Sequence, residues 1–144
     1  MEEVKHLTIY LVKKHQSMHK FGEDYTAAWN SKKPANVAAF YAEDGTLTVN
    51  NRSPAVGRAQ LTTLVNDYME AFPDMKLTMD SLVADGNTWR YHWTFEGTNT
   101  GPGGTGNHVV FSGFEQWTMN DDGFVQTSIG KYDAEDYNRQ LKGE

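Results

Sequence analysis

The strongest constraint in this sequence is the alternating run Trp89-Arg90-Tyr91-His92-Trp93-Thr94-Phe95-Glu96. Successive side chains of a strand leave opposite faces, so Trp89, Tyr91, Trp93 and Phe95 share one face, and Arg90, His92, Thr94 and Glu96 share the other. Four large aromatics need a covering layer. That layer is either the helices of the same chain or a second copy of it. Arg90 and His92 are costly to bury unpaired, so they are either solvated or line a polar cavity.

The rest of the chain supplies the covering elements. Phe21, Tyr25, Ala28 and Trp29 recur at helical spacing up to the break at Ser31-Lys32-Lys33-Pro34. Pro34 opens a short second helix with Val37, Phe40 and Tyr41 on its buried side, and Glu43-Asp44-Gly45 turns the chain. A strand over Thr46–Asn50 and the loop through Gly57 lead to a third helix. There Leu61, Leu64, Val65, Tyr68 and Phe72 form one apolar stripe, which Pro73 ends. Met75 to Ala84 and Thr88 to Gly97 read as a hairpin around Asp85-Gly86-Asn87. His108 to Met119 and Phe124 to Tyr132 are further strands, and a final helix from Asp133 carries Tyr137 and Leu141. Helices first and a meander of long strands afterwards is the α+β class.

With 144 residues the chain is expected to form one domain over residues 21–141, preceded by a helical extension over residues 1–20. The extension is not a membrane anchor, because its apolar face is short and interrupted by lysine and histidine. A net charge of -6 without a basic stripe excludes nucleic acid as a partner. Without cysteine there is no disulfide, thiolate metal site or cysteine nucleophile. No apolar leader follows Met1, so a cytoplasmic location is expected.

Two motifs are set aside. Gly101-Pro102-Gly103-Gly104-Thr105-Gly106 lacks the Gly-Lys-Ser/Thr ending of a phosphate loop and lies between strands, so it reads as a flexible hairpin loop. His15 and His19 stand at i, i+4 without the glutamate of a zinc protease, so they read as a solvated face and no metal is expected.

Glu115 is the lone acid on the stripe Val109, Phe111, Gly113, Glu115, Trp117 and Met119. Such a carboxylate needs a partner or a shifted pKa, and either suits a general acid or base. Arg90 is the candidate partner; the other reading is a structural ion pair at the sheet edge. In the last strand, alternation leaves open whether Gly130 and Tyr132 or Ile129 and Lys131 face inward, since a bulge exchanges them.

The order of elements, together with Ala28-Trp29-Asn30, Ala38-Ala39-Phe40-Tyr41-Ala42-Glu43-Asp44-Gly45, Val56-Gly57-Arg58, Ala71-Phe72-Pro73-Asp74-Met75, Trp93-Thr94-Phe95-Glu96-Gly97-Thr98-Asn99-Thr100-Gly101 and Asp122-Gly123-Phe124-Val125, resembles the SnoaL-like polyketide cyclase branch of the nuclear transport factor 2-like, or ketosteroid isomerase-like, superfamily. The resemblance implies a cone-shaped, cystatin-like α+β fold: a strongly curved antiparallel sheet with helices packed on its concave face. It also implies a small-molecule ligand in the cone, no cofactor, and a homodimer through the convex face. It favours placing Arg90 and His92 in the cavity, with the aromatic face covered by the second subunit. His92 is then the candidate base, Glu115 the acid and Arg90 an orienting cation. Trp29, Asn50, Tyr68 and Trp117 are candidate walls, with Lys131 or Tyr132 at the mouth.

Two acids of the family pattern are missing. The last strand reads Ile129-Gly130 where acid-base members carry an aspartate, and Arg90-Tyr91-His92 stands where the family's epoxide hydrolases have Arg-x-Asp. The expected function is a cofactor-independent isomerase or cyclase acting on an apolar carbonyl-bearing ligand. The alternative is a non-catalytic ligand-binding or accessory module of the same fold.

Overall fold

The computed structural model describes residues 2–144, with side chains from Lys13 onward. In chain order the elements are α1 (Glu2–Asn30), α2 (Pro34–Ala38), β1 (Tyr41–Val49), β2 (Ala55–Val56), α3 (Gly57–Ala71), β3 (Lys76–Asp85), β4 (Thr88–Thr98), β5 (His108–Met119), β6 (Val125–Tyr132) and α4 (Ala134–Lys142). The strands form one curved sheet in the order β2-β1-β6-β5-β4-β3. α1 runs without a break through residues 20 and 21. The apolar residues Leu7, Ile9, Leu11 and Val12 of the expected extension lie outside the described side chains. Met18 already packs against the core, and the His15 ring meets Trp89 edge-on at 5.1 Å.

The aromatic face of β4 is the inner one. Trp89, Tyr91 and Phe95 are buried, with α1 lying against Tyr91 and the neighbouring Met79 and Leu82 of β3. The chain's own helices therefore supply the covering layer, and a second subunit is not needed there. Tyr91 stacks on Trp117 at 4.9 Å and 15°, and Tyr25 of α1 meets Trp117 edge-on at 4.9 Å. Burying each of these rings contributes roughly 1.5–3 kcal/mol, with about 0.5–1.5 kcal/mol more per aromatic pair. α3 buries Leu61, Val65 and Met69 on the same side.

Three expectations are corrected. The sheet is not wholly antiparallel, because β1 pairs β6 in parallel. Consecutive reversals from β3 to β6 fix the direction of β6, whereas α1 and α2 set that of β1. Tyr41 begins β1 rather than ending α2, and Glu43-Asp44-Gly45 is a bulge in that strand, where the register shifts between Tyr41 and Thr46. The glycine loop is anchored rather than loose. Asn99 Nδ2 and the Gly101 amide both donate to the Ala71 carbonyl, at 3.0 and 3.2 Å, and so satisfy an end group of α3.

A side chain at Gly101 has no room, since an added Cβ would lie 1.9 Å from the Glu70 carbonyl oxygen, whereas Gly103 faces open space at φ +73°. Gly101→Ala is expected to cost about 2–3 kcal/mol in urea unfolding through overpacking, and Gly103→Ala about 1 kcal/mol through its positive φ. Equal losses would contradict the anchoring.

Candidate functional site

A cavity of about 60 Å³ lies between the concave sheet face and the helices. Its walls are aromatic and aliphatic, with Trp29 from α1, Leu64 and Tyr68 from α3, Phe95 from β4 and Tyr132 from β6. Glu115 is the one carboxylate in this lining. Trp29 is set in place by the end of α1: Asn30 Nδ2 donates to the Leu77 carbonyl at 2.9 Å, and the Leu77 amide donates to Asn30 Oδ1 at 2.7 Å.

The Glu115 side chain is buried at 7% exposure and is met by donors from four elements. Its Oε1 accepts from Ser128 Oγ at 2.7 Å, Trp117 Nε1 at 3.0 Å, the Tyr25 hydroxyl at 3.0 Å and the Tyr41 hydroxyl at 3.1 Å. Its Oε2 has only the shared Tyr25 hydroxyl, at 3.1 Å. The two tyrosine oxygens are themselves 3.0 Å apart. One carboxylate oxygen is thus saturated, and the other keeps acceptor capacity. Gly130 stands directly across from Glu115 on β6, and a Cβ there would lie 3.8 Å from Glu115 Cγ. The bare position keeps the cavity open beside the carboxylate.

Electrostatics keep the surrounding phenols neutral. Burial, followed by the negative charge of Glu115, pushes the Tyr25 and Tyr41 hydroxyls well above the ordinary tyrosine range. Tyr68 is pushed up by burial first and by Tyr132 second, and its hydroxyl lies 3.1 Å from that of Tyr132. Burial raises Tyr91 as well and carries Tyr137 up to about 12. Held neutral, these hydroxyls are not bases, and those of Tyr25 and Tyr41 donate to Glu115.

The structure gathers some of the residues singled out in the sequence and separates others. Glu115, Trp29, Tyr68 and Tyr132 line the cavity. Trp117 lies fully buried and reaches the site through its bond to Glu115. Asn50, at φ 53°, accepts from the Tyr132 amide at 3.0 Å and so steadies the strand end rather than the cavity wall.

Arg90 and His92 require correction. They leave the opposite face of β4, because the aromatics between them take the helix side. Arg90 donates to Gln116 Oε1 at 2.9 Å and lies over the Phe114 ring at 4.4 Å, while His92 sits against the same ring at 6.0 Å. Neither reaches Glu115. Lys131 is exposed on that outer face too, since Ser128, Gly130 and Tyr132 are the inward set of β6. Tyr25, Tyr41 and Ser128 escaped the sequence reading as site residues. The helical spacing of Tyr25 and the shared parity of Ser128 and Gly130 were the available signals.

Among the described residues no group of three or more histidine or acidic side chains is arranged to hold a metal, and no helix is long and apolar enough to cross a membrane. The family model of the SnoaL-like domain matches residues 23–127, from the last two turns of α1 through α3 and β5 to the start of β6. The chain belongs to the SnoaL-like domain family. No curated protein matches it.

Solved structures share the fold at low identity. A protein with a ketosteroid isomerase-like fold from Catenulispora acidiphila, in complex with trimethylamine, is 14% identical, with TM-score 0.72 over 83% of this chain and 89% of that one. SalBIII, an epoxide hydrolase/cyclase-like enzyme of pyran ring formation in the polyether salinomycin, is 17% identical, with TM-score 0.72 over 85% and 95%. A SnoaL-like polyketide cyclase assignment from Jannaschia sp. CCS1 is 14% identical, with TM-score 0.67 over 76% and 79%.

The buried phenols of this SnoaL-like site give a pH signature. The folded chain holds these protons above pH 10, while the unfolded chain releases them near 10. Stability is therefore unchanged by them below about pH 10 and falls as pH rises beyond it. Phenolate absorbance from Tyr25, Tyr41, Tyr68 and Tyr91 is expected to appear only together with unfolding, followed at 295 nm and by circular dichroism between about pH 10 and 12. Their free titration in the folded protein near pH 10 would contradict this packing.

Proposed function

We propose that the protein is a cofactor-independent isomerase or cyclase that holds an apolar carbonyl compound in this cavity and uses Glu115 to move a proton beside the carbonyl. The supporting observation is the unequal satisfaction of the two oxygens of Glu115 on an otherwise apolar wall. The four donors orient the group, and Oε2 keeps a lone pair for a C–H proton. In an isomerisation, Oε2 takes a proton from the carbon next to the carbonyl and the electron pair moves onto the carbonyl oxygen as an enolate. The same proton is then returned to a different carbon. In a cyclisation, the enolate carbon attacks a second carbonyl, forming a C–C bond, and Glu115 protonates the resulting alkoxide. Both routes return Glu115 to its starting state.

The alternative is a binding module without turnover. It is favoured by the same network, since a carboxylate with four donors also serves as a structural tie, and by the bare Gly130. A D2O assay separates the two readings. The wild type is expected to exchange α-hydrogens of ring ketones and to convert 3-cyclohexenone into 2-cyclohexenone, and Glu115→Gln is expected to lose about 10²- to 10⁴-fold. Unchanged rates in Glu115→Gln, with the fold intact, would remove the catalytic reading.

The homodimer is retained as part of this proposal. It is supported by Val83, Val110 and Ile129, each about half exposed on the outer sheet face at 49%, 47% and 47%. Light scattering is expected to report a dimer that Ile129→Asp weakens; a monomeric wild type would contradict it.

A further inference from the structure

Of the residues that line the cavity, Leu64, Tyr68, Trp93 and Tyr132 are the partly exposed ones, so the cavity meets solvent on that side. The Tyr68 and Tyr132 hydroxyls stand there 3.1 Å apart, with the Tyr137 ring 5.5 Å from that of Tyr132. Between β5 and β6, Tyr132 pairs with Gly113 and Gly130 pairs with Glu115. The rim therefore lies two residues along the strands from the carboxylate, or about 7 Å.

The turn that leaves β1 carries Arg52 to this rim. Asn50, at φ 53°, donates its amide to the Gly130 carbonyl at 2.8 Å and accepts from the Tyr132 amide at 3.0 Å, while the Arg52 amide donates to the Val49 carbonyl at 3.1 Å. The base of the turn is thus fastened to the two β6 residues that line the cavity. The Arg52 guanidinium is close enough to Tyr68 and Tyr137 to oppose the upward shift that burial imposes on both hydroxyls. Three of the four arginines are engaged: Arg58 with the Tyr41 carbonyl, Arg90 with Gln116 and Arg139 with Asp136. Among the described residues the Arg52 side chain has no hydrogen bond and no ion pair. The acid beside Tyr132, Asp133, is occupied in capping α4, where it accepts the Glu135 and Asp136 amides at 3.1 Å each.

We infer that Arg52 binds a carboxylate of the ligand, and that the protein acts on a keto acid whose carbonyl lies beside Glu115 and whose acid group lies at the rim. This deepens the proposed function and rests on it for the carbonyl end. A guanidinium offers two parallel N–H donors that match the two oxygens of a carboxylate. In the Tyr68–Tyr132 pair one hydroxyl donates to the other, which leaves the second proton free for the same acid group. One cation balances one negative charge, so a cavity that already holds Glu115 suits a monocarboxylate. The separation of about 7 Å keeps the two carboxylates apart and suits an acid group across a six-membered ring from the carbonyl.

Three small molecules test this with the full chain. 4-Oxocyclohexanecarboxylate has the carbonyl and the charge, its methyl ester keeps the shape without the charge, and cyclohexanecarboxylate keeps the charge without the ketone. In calorimetric titration the wild type is expected to bind cyclohexanecarboxylate, and Arg52→Gln to bind it about fivefold to tenfold more weakly. Lys131→Gln, which removes the same charge from the outer sheet face, is expected to bind it as the wild type does. In the D2O assay, the wild type's preference for the keto acid over its ester is expected to fall by the same factor in Arg52→Gln. Equal binding of cyclohexanecarboxylate by the wild type and Arg52→Gln would overturn the assignment. So would equal losses in Arg52→Gln and Lys131→Gln, which would mark a diffuse effect of charge, or no carboxylate binding up to the millimolar range.

The exchange assay separates this inference from the reading beneath it. Exchange that depends on Glu115 but shows no preference set by Arg52 leaves the proposed function standing and removes the acid site. Binding of cyclohexanecarboxylate that depends on Arg52, with no exchange in the wild type, does the reverse.

Discussion

The burial of Glu115 is the constraint on which the rest of this structure depends. A carboxylate in a wall of tryptophan, tyrosine and phenylalanine is untenable without strong donors, because desolvation of a bare charge costs many kcal/mol. Here the donors come from four separate places in the chain: Tyr25 of α1, Tyr41 of β1, Trp117 of β5 and Ser128 of β6. Satisfying one charge thus ties the first helix, the first strand and the last strand to the sheet's middle. Charge-assisted hydrogen bonds are about twice as strong as neutral ones, so the tie is firm as well as specific.

The cavity follows from the same arrangement. α1 must lie close enough over the sheet for Tyr25 to reach Glu115, and its last turn, pinned to Leu77, then brings Trp29 over the concave face. Opposite Glu115, Gly130 supplies no side chain, so the space beside the carboxylate stays unfilled. The tyrosines around it keep their protons through the whole physiological range, which makes the surroundings donor-rich and leaves one basic group. The two oxygens of that group differ: Oε1 accepts four hydrogen bonds that tie the fold together, whereas Oε2 has the one shared with Tyr25, and the proposed function gives the proton transfer to Oε2.

Much of the fold was legible in the sequence because it rests on local rules. The alternation in β4, the stripe of α3, the Asp85-Gly86-Asn87 turn and the helix beginning at Asp133 each depend on neighbours a few residues apart. Parity also isolated Glu115 as the unusual acid. What alternation does not reveal is which of two faces turns inward, and the placement of Arg90 and His92 turned on that choice. The partners of Glu115 were hidden for a different reason. Tyr25 and Tyr41 lie 90 and 74 positions away, so only the assembled sheet and the path of α1 bring them within 3.1 Å. The parallel pairing of β1 with β6 is equally non-local, as is the fit of the Gly101 loop against the end of α3.

The most direct test of this account is to locate the protons around Glu115 by neutron diffraction from perdeuterated crystals near neutral pH. The account predicts a bare carboxylate, with nuclear density for the Tyr25, Tyr41, Ser128 and Trp117 deuterons directed at it and an open lone pair on Oε2. A deuteron resident on Glu115 and donated outward to Tyr41 or Tyr25 would contradict it, because the residue would then be a structural acid with no capacity to accept a proton from a ligand.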